Sequence, residues 1–295
     1  MKIASLHFGS GSGHLQNGII LWDFLRERVS QNIEFSLLTD SGYDVPINEE
    51  SLSILNISLE PEKLYCRDRE TMLYQYLKHI DPDLIIVDSI WFPVKPLLNE
   101  LKAKKVLFSC YLPYKWFNPP PFPNGETVFF EPDNFDLLFS IEPGFGYPGS
   151  SSLPPLIHNM EHRIEQPDRI RSILNVPADK KLALLAHNGH EGEINTILDK
   201  AEVDREDFFF FTLSQLDPVS RHLFPLVHYM GGVDLAIGGS GYHFFYETKF
   251  HNIPSIYIPQ PRIGNEQHWR LENNNDYQGP YNGAELMVEQ ILSLM

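Results

Sequence analysis

The sequence predicts an α/β chain with parallel, doubly wound sheets, on three observations. Short apolar segments alternate with stretches of helical periodicity, and short turns join them. A strand, a glycine-rich turn and a helix follow one another near the N-terminus and again near residue 240. Between these two beginnings, Pro143–Pro155 is rich in Gly, Pro and Ser and reads as a linker. The expected division is therefore an N-terminal domain over residues 1–144, a connection over 145–157 and a C-terminal domain over 158–295.

In chain order, Lys2–Phe8 is the first buried strand, Gly9-Ser10-Gly11-Ser12-Gly13-His14 the turn after it, and Leu15–Val29 a helix with Ile19, Ile20, Leu21, Phe24 and Leu25 on its apolar side. Glu34–Thr39 and Ser53–Leu59 read as strands around the turn Asp40-Ser41-Gly42. Arg69–His79 has helical spacing, Asp81-Pro82-Asp83 breaks it, and Leu84–Asp88 is a strand. Pro93–Ala103 reads as a helix with proline in its first turn, and Lys105–Cys110 and Asp136–Ile141 as strands. From Tyr111 to Gly125 prolines and aromatics exclude regular structure; this loop is expected either to cover a ligand cleft or to pack as a compact surface loop.

The second half predicts a helix over Arg163–Leu174, a strand over Lys181–Ala186, the turn His187-Asn188-Gly189-His190, a helix over Glu191–Ala201 and a strand over Phe208–Leu213. Leu223–Asp234 is expected to hold a short strand and a helix. Asp234–Ile237 is an apolar strand that stops at Gly238-Gly239-Ser240-Gly241, a turn for which positive φ is expected. Tyr242–His251 reads as a helix ended by Asn252-Ile253-Pro254, Ser255–Ile258 as the next strand, and Gln267–Asn274 and Gly283–Met295 as closing helices.

Composition narrows the function. The 295 residues, 42% hydrophobic and 21% charged, make one large or two ordinary globular domains. A net charge of −16, from 39 acids against 23 bases, argues against a nucleic-acid partner and against docking on an anionic membrane. Cys66 and Cys110 lack metal-type spacing and read as free thiols. No apolar run reaches the ~20 residues of a membrane span and Met1 leads straight into a strand, so a cytoplasmic protein without an integral membrane segment is expected.

A helix start behind a glycine turn presents unpaired N–H groups and the positive end of a dipole, which suit a phosphate. Gly239, Ser240, Gly241 and Tyr242 form such a start. Glu247 lies six residues beyond Gly241, where a carboxylate can reach a sugar beside the phosphate; without that turn it reads as a solvated helical acid. His243, in the first turn, where a protonated ring would meet the helix dipole unfavourably, reads as neutral or as a packing residue. His14 opens the first helix and can accept a proton near neutral pH, or simply bond the turn. Asp88 ends a strand, where ligand-facing residues gather in open sheets and where turn residues are equally common. The first turn lacks the third glycine of a dinucleotide fingerprint, although Asp40 lies near the place of its acidic residue. No metal-ligand motif is present, and neither metal nor cofactor is expected.

Continued through Asn265-Glu266-Gln267-His268-Trp269, the second motif resembles the donor-binding segment of GT-B fold glycosyltransferases, most closely the UDP-GlcNAc-dependent transferase of peptidoglycan synthesis. The resemblance implies two Rossmann-like domains facing a cleft. It implies that Gly241 holds a diphosphate, Glu247 the ribose hydroxyls, and Gln267, with Asn265, the donor sugar. In that family a G-x-G-G-H turn faces the acceptor and its histidine lies near the reacting centre; Gly11, Gly13 and His14 match it, with Ser12 in place of a glycine. His187–His190 stands where relatives carry a glycine-rich turn against the diphosphate. Only Gly189 remains there, with Asn188 and His190 as hydrogen-bond donors.

The resulting expectation is a metal-independent transferase that moves a sugar from a UDP-sugar or similar donor to an unknown hydroxyl acceptor. His14 is its base, and Gly11, Gly13 and Asp88 lie on the acceptor side. A nucleotide-sugar hydrolase with the same turn, or a non-catalytic nucleotide-sugar-binding protein, is the alternative.

Overall fold

The computed structural model describes residues 1–9, 11–29, 32–42, 45, 47, 49–57, 71–118, 127–158, 168–187, 191–204, 206–213 and 223–295. The chain forms two compact units, one of Met1–Gly42, Asn48–Leu156 and Asn282–Met295, the other of Tyr43–Ile47 and Ile157–Tyr281.

The first unit contains β1 (Lys2–His7), α1 (Ser12–Arg28), β2 (Glu34–Thr39), β3 (Leu52–Asn56), α2 (Met72–Ile80), β4 (Leu84–Asp88), α3 (Lys95–Leu98), β5 (Lys104–Ser109), β6 (Leu137–Ser140) and β7 (Ser151–Ser152). All seven strands run parallel in the order β3-β2-β1-β4-β5-β6-β7. Such a sheet is covered on both faces, which is why its strands read as continuous apolar runs: every residue of β4 is buried. The chain turns back at β1 and continues from β4 on the other side, so the switch point of the sheet lies between these strands, in register His7↔Asp88 at their carboxyl ends.

The second unit contains α4 (Asp168–Ile173), β8 (Lys181–Ala186), α5 (Glu191–Ala201), β9 (Phe208–Leu213), β10 (Leu235–Gly238), α6 (Tyr242–Phe250), β11 (Ser255–Tyr257) and α7 (Glu266–Asn274). Its sheet is parallel in the order β11-β10-β8-β9. The switch point lies between β8 and β10, with Gly238 opposite Ala186. Apolar clusters around Leu182 and Leu184 on one face and Ala183 and Leu185 on the other give it two covers.

The structure differs from the sequence reading in four places. The helix expected over Pro93–Ala103 is the single turn α3, Lys95–Leu98. The stretch before β10 is a 3-10 helix, Leu226–Gly232, in place of a strand and a helix. Part of the expected linker at 145–157 is β7, which pairs through Ser151 and Ser152 with β6. The last helix, α8 (Gly283–Leu294), belongs to the first unit, although the sequence reading assigns it with residues 158–295. There Arg28 of α1 donates to Glu285 at 2.5 Å and Glu289 at 2.8 Å. Gly283 donates its N–H to Pro155 O at 2.8 Å, and a Cβ at Gly283 would lie 1.8 Å from Pro154 O.

Candidate functional site

In the first unit the glycine turn and the end of β4 meet at the switch point. Gly9 and Gly11 have φ of 146° and 133°, values that L residues rarely adopt. A Cβ on Gly9 would also lie 2.4 Å from the His14 ring, so glycine is required for the imidazole to fold back over the turn. Asp40 accepts the Gly9 N–H at 2.7 Å; this acid pins the turn instead of waiting for a ribose.

Folded back in this way, His14 brings Nδ1 to 3.0 Å from Asp88 Oδ2 while its side chain stays 27% exposed. Asp88 is wholly buried. Its Oδ2 also accepts from Asn17 Nδ2 at 2.8 Å and from His7 Nδ1 at 3.1 Å, and its Oδ1 accepts the Ser89 hydroxyl at 2.8 Å. Burial raises the Asp88 carboxyl, but His14, followed by the hydrogen bond from His7, outweighs burial and holds it well below the usual carboxylate range. Burial lowers His7, against Asp88, so His7 is neutral at pH 7: its Nδ1–H donates to Asp88 and its Nε2 accepts the Ser5 hydroxyl at 2.7 Å. Ser89 holds φ 59°, an uncommon value for a non-glycine residue, directly beside this carboxylate. The arrangement is a half-buried imidazole backed by a buried, ionised carboxylate that accepts on both oxygens. When the His14 ring is neutral, Asp88 keeps its proton on Nδ1 and leaves the Nε2 lone pair as a base. Among the described residues beyond its chain neighbours, nothing lies within 4 Å of the place a Cβ on Gly13 would take.

In the second unit the other turn also lies at a switch point, for a different reason. None of Gly238, Gly239 and Gly241 has positive φ, contrary to the expectation from sequence. Two of these glycines answer close approach instead: a Cβ on Gly238 would lie 2.6 Å from Ala186 O, and one on Gly239 would lie 2.9 Å from Gln267 Oε1. Gly241, at φ −62° and ψ 149°, precedes α6, and a Cβ there would meet nothing within 4 Å. Among the described residues, then, nothing fills the place beside Gly241 ahead of α6.

The turn is held from beneath. Ser240, fully buried, donates its hydroxyl to Gln267 O at 2.8 Å, and Arg270 Nη1 donates to Ser240 O at 2.6 Å. The Arg270 guanidinium is 1% exposed and lies over the rings of Tyr242 and Tyr246, 5.5 and 5.8 Å from their centroids. Gln267 Oε1 accepts the Gln260 N–H at 2.8 Å, which ties α7 to the segment after β11. Asn265 is exposed with φ 54°, a backbone state that asparagine tolerates, so its place before α7 has a conformational reason.

Glu247, 6% exposed, meets two imidazoles: His158 Nδ1 at 2.5 Å and His243 Nδ1 at 3.7 Å, both to Oε1. Burial raises this carboxyl, but the charge and hydrogen bond of His158, with His243 adding, hold it well below the usual range. His243 is 5% exposed, as a packing residue should be. His158, His243 and Glu247 have the composition of a zinc site, with ligand atoms within 4.8 Å of one another. Two ligands of one tetrahedral zinc stand roughly 3.3 Å apart, given its bond lengths. At 2.5 Å, His158 and Glu247 are hydrogen-bonded to each other.

Asn188, Gly189 and His190 lie outside the described residues. His187, next to them, brings Nε2 to 2.7 Å from Glu193 Oε2, and Arg262 grips the same carboxylate at 2.7 and 2.9 Å. The proline-rich loop packs where it is described: Phe117 is buried and stacks on Tyr147 at 4.7 Å, and Trp116 stacks on Phe92 at 6.1 Å.

His7, Asn17, His158, Arg262 and Arg270 escaped the sequence reading. Only Arg270 left a local signal, three residues after Gln267 and so on the same face of α7. The others depend on strand register or on contacts made far along the chain.

No protein-family description and no curated protein matches the chain. Among solved structures it is similar to the spinosyn rhamnosyltransferase SpnG complexed with thymidine diphosphate, at 13% identity over 99% of this chain and 90% of the other, with a TM-score of 0.55. It is similar to the glycosyltransferase SsfS6 of Streptomyces sp. SF2575 at 14% identity, covering 99% and 96%, with a TM-score of 0.54. A UGT transferase from Siraitia grosvenorii in complex with UDP aligns at 11% identity over 100% and 90%, with a TM-score of 0.55. The likeness is of fold, to GT-B glycosyltransferases at large and not specifically to the peptidoglycan family. The chain has the GT-B fold.

Proposed function

We propose that the protein is a glycosyltransferase that moves a sugar from a nucleoside diphosphate sugar to a hydroxyl acceptor. The observation that carries this reading is His14 Nδ1 at 3.0 Å from the buried Asp88 carboxylate, at the switch point of the first sheet. In that state Nε2 takes the proton of the acceptor hydroxyl as its oxygen bonds to the anomeric carbon. The bond from that carbon to the diphosphate breaks, and the nucleoside diphosphate leaves with the electron pair. Asp88 stabilises the imidazolium so formed.

The donor belongs to the second unit. The N-terminus of α6 offers its N–H groups to the diphosphate and meets the leaving charge without a metal. Glu247 takes the ribose hydroxyls, and the turn bearing Asn265 and Gln267 faces the sugar, with Gln267 held by Gln260. Asn188 and Gly189 are assigned to the diphosphate. A UDP-sugar is the first donor to try, on the likeness to the UDP-GlcNAc-dependent family, and the site of action is the cytoplasm. The same base acting on water makes the protein a hydrolase, and the choice lies in the acceptor.

The test is a panel of UDP- and dTDP-sugars incubated with and without hydroxyl acceptors, in buffer with EDTA, with products separated by mass. Acceptor-dependent glycoside that disappears in His14→Ala is the expected result. Free sugar formed without any acceptor makes it a hydrolase. Tight nucleotide binding with no product in either arm leaves a binding protein and sinks the catalytic reading.

A further inference from the structure

We propose that His158 is a positioning residue of the nucleotide site: its Nδ1–H holds Oε1 of Glu247 and so reserves the other carboxylate oxygen for the two ribose hydroxyls. The inference rests on the reading of Glu247 as the ribose-binding group. It adds a residue that neither spacing nor resemblance assigns.

The geometry begins with the chain path. His158 comes at the start of the second unit, 89 residues before Glu247, and is 2% exposed. Its ring packs against Phe224 at 6.4 Å, His228 at 6.2 Å and His243 at 5.9 Å between centroids, so it has little freedom to rotate. Within that packing Nδ1 reaches Oε1 at 2.5 Å, and a carboxylate accepts without donating, so the proton lies on Nδ1. His243 approaches the same oxygen, at 3.7 Å. Among the described residues no group engages Oε2.

A carboxylate on a helix otherwise turns about its terminal torsion, which is broad. A charge-assisted hydrogen bond to one oxygen fixes the plane and leaves the second oxygen with its lone pairs set in one direction. Two neighbouring hydroxyls on a five-membered ring are a suitable partner for such an acceptor. The effect of His158 therefore falls on the ribose hydroxyls alone, and the diphosphate does not feel it.

The experiment measures affinity for UDP and for 2′,3′-dideoxy-UDP by calorimetry, using the whole chain. The unmodified protein is expected to prefer UDP, and Glu247→Ala to lose that preference. His158→Leu, which has no donor, is expected to bind UDP about tenfold or more weakly while its affinity for the dideoxy compound is unchanged. His158→Asn, which carries an N–H close to the place of Nδ1, is expected to keep the preference. Should the leucine variant fail to fold, His158→Gln replaces it, since its N–H lies at the Nε2 end, and the same loss is expected. Equal preference in His158→Leu and the unmodified protein overturns the proposal while leaving Glu247 in place. Equal weakening toward both nucleotides makes His158 a packing residue and overturns it too. Absence of any preference in the unmodified protein, or of nucleotide binding, removes the ribose reading and this inference with it.

Discussion

Two glycine turns end two strands at two switch points, yet the glycines do different work. Gly9 and Gly11 are there for the backbone, at φ of 146° and 133°, and the chain they bend brings an imidazole back over the turn. Gly238 and Gly239 are there for space, because Ala186 O and Gln267 Oε1 occupy the places a Cβ would take. The polar groups follow the same division. The first turn ends in a buried carboxylate with one half-buried histidine on it, which the proposed function uses to handle a proton. The second ends in a helix N-terminus backed by a buried guanidinium, which the proposed function uses to hold an anion. Similar sequence signals thus place different chemistry at the ends of two strands.

The sharpest way to break this contrast is to remove each turn's own chemistry. His14→Ala is expected to lower turnover about 10²–10⁴-fold, the worth of a positioned general base, with nucleotide affinity unchanged. Calorimetry with UDP and a product assay on the same preparation check it. A tenfold loss of affinity with turnover unaltered at saturation would falsify the division of labour.

Next in size are the glycines themselves. Gly238→Ala forces a methyl group against a backbone carbonyl that has nowhere to go, and is expected to cost about 1–3 kcal/mol of stability. Gly11→Ala has free space but the wrong φ, and is expected to cost about 1–2 kcal/mol from backbone strain alone. Gly241→Ala has both free space and a permitted backbone, so its stability should stay within about 0.5 kcal/mol. Its methyl group stands where the anion would lie, and UDP affinity should fall roughly tenfold, a loss of about 1.4 kcal/mol. Urea melts and UDP titration of the three variants separate strain, clash and ligand exclusion. If Gly241→Ala binds UDP normally, the α6 N-terminus is not the phosphate site.

The contrast also marks what a sequence exposes. Strand and helix periods are local, so both sheets and both turns were legible. Glu247 and His14 stood out because they follow glycines at short spacing. What those groups touch was not legible. Asp88 meets His7 because β1 and β4 pair in one register, and His158 meets Glu247 across 89 residues. The positive φ expected of Gly238–Gly241 failed for a related reason: glycine marks either a backbone demand or a space demand, and only neighbours distant in sequence decide which. The return of α8 to the first unit rests on Gly283 fitting under Pro154, and a lone glycine at a helix start announces no such contact.

The smallest expected effect concerns the ionic clasp beside the second turn. Glu193 is gripped by Arg262 at 2.7 and 2.9 Å and met by His187 at 2.7 Å. The Arg262 hydrogen bonds, against burial and with help from His187, pull its carboxyl down from 4.5 to about 2. A depressed carboxyl stabilises the fold above its unfolded value, and that contribution disappears as the pH falls from 4.5 toward 2. Glu193→Gln should therefore lower stability near pH 7 by about 1 kcal/mol and flatten the acid limb in that window. Urea melts from pH 2 to 7 read both effects. Asp88 and Glu247 are depressed in the same direction and keep their share of the limb, so the variant's slope shrinks without vanishing. A variant with the unmodified slope would mean that the clasp holds no charge of consequence.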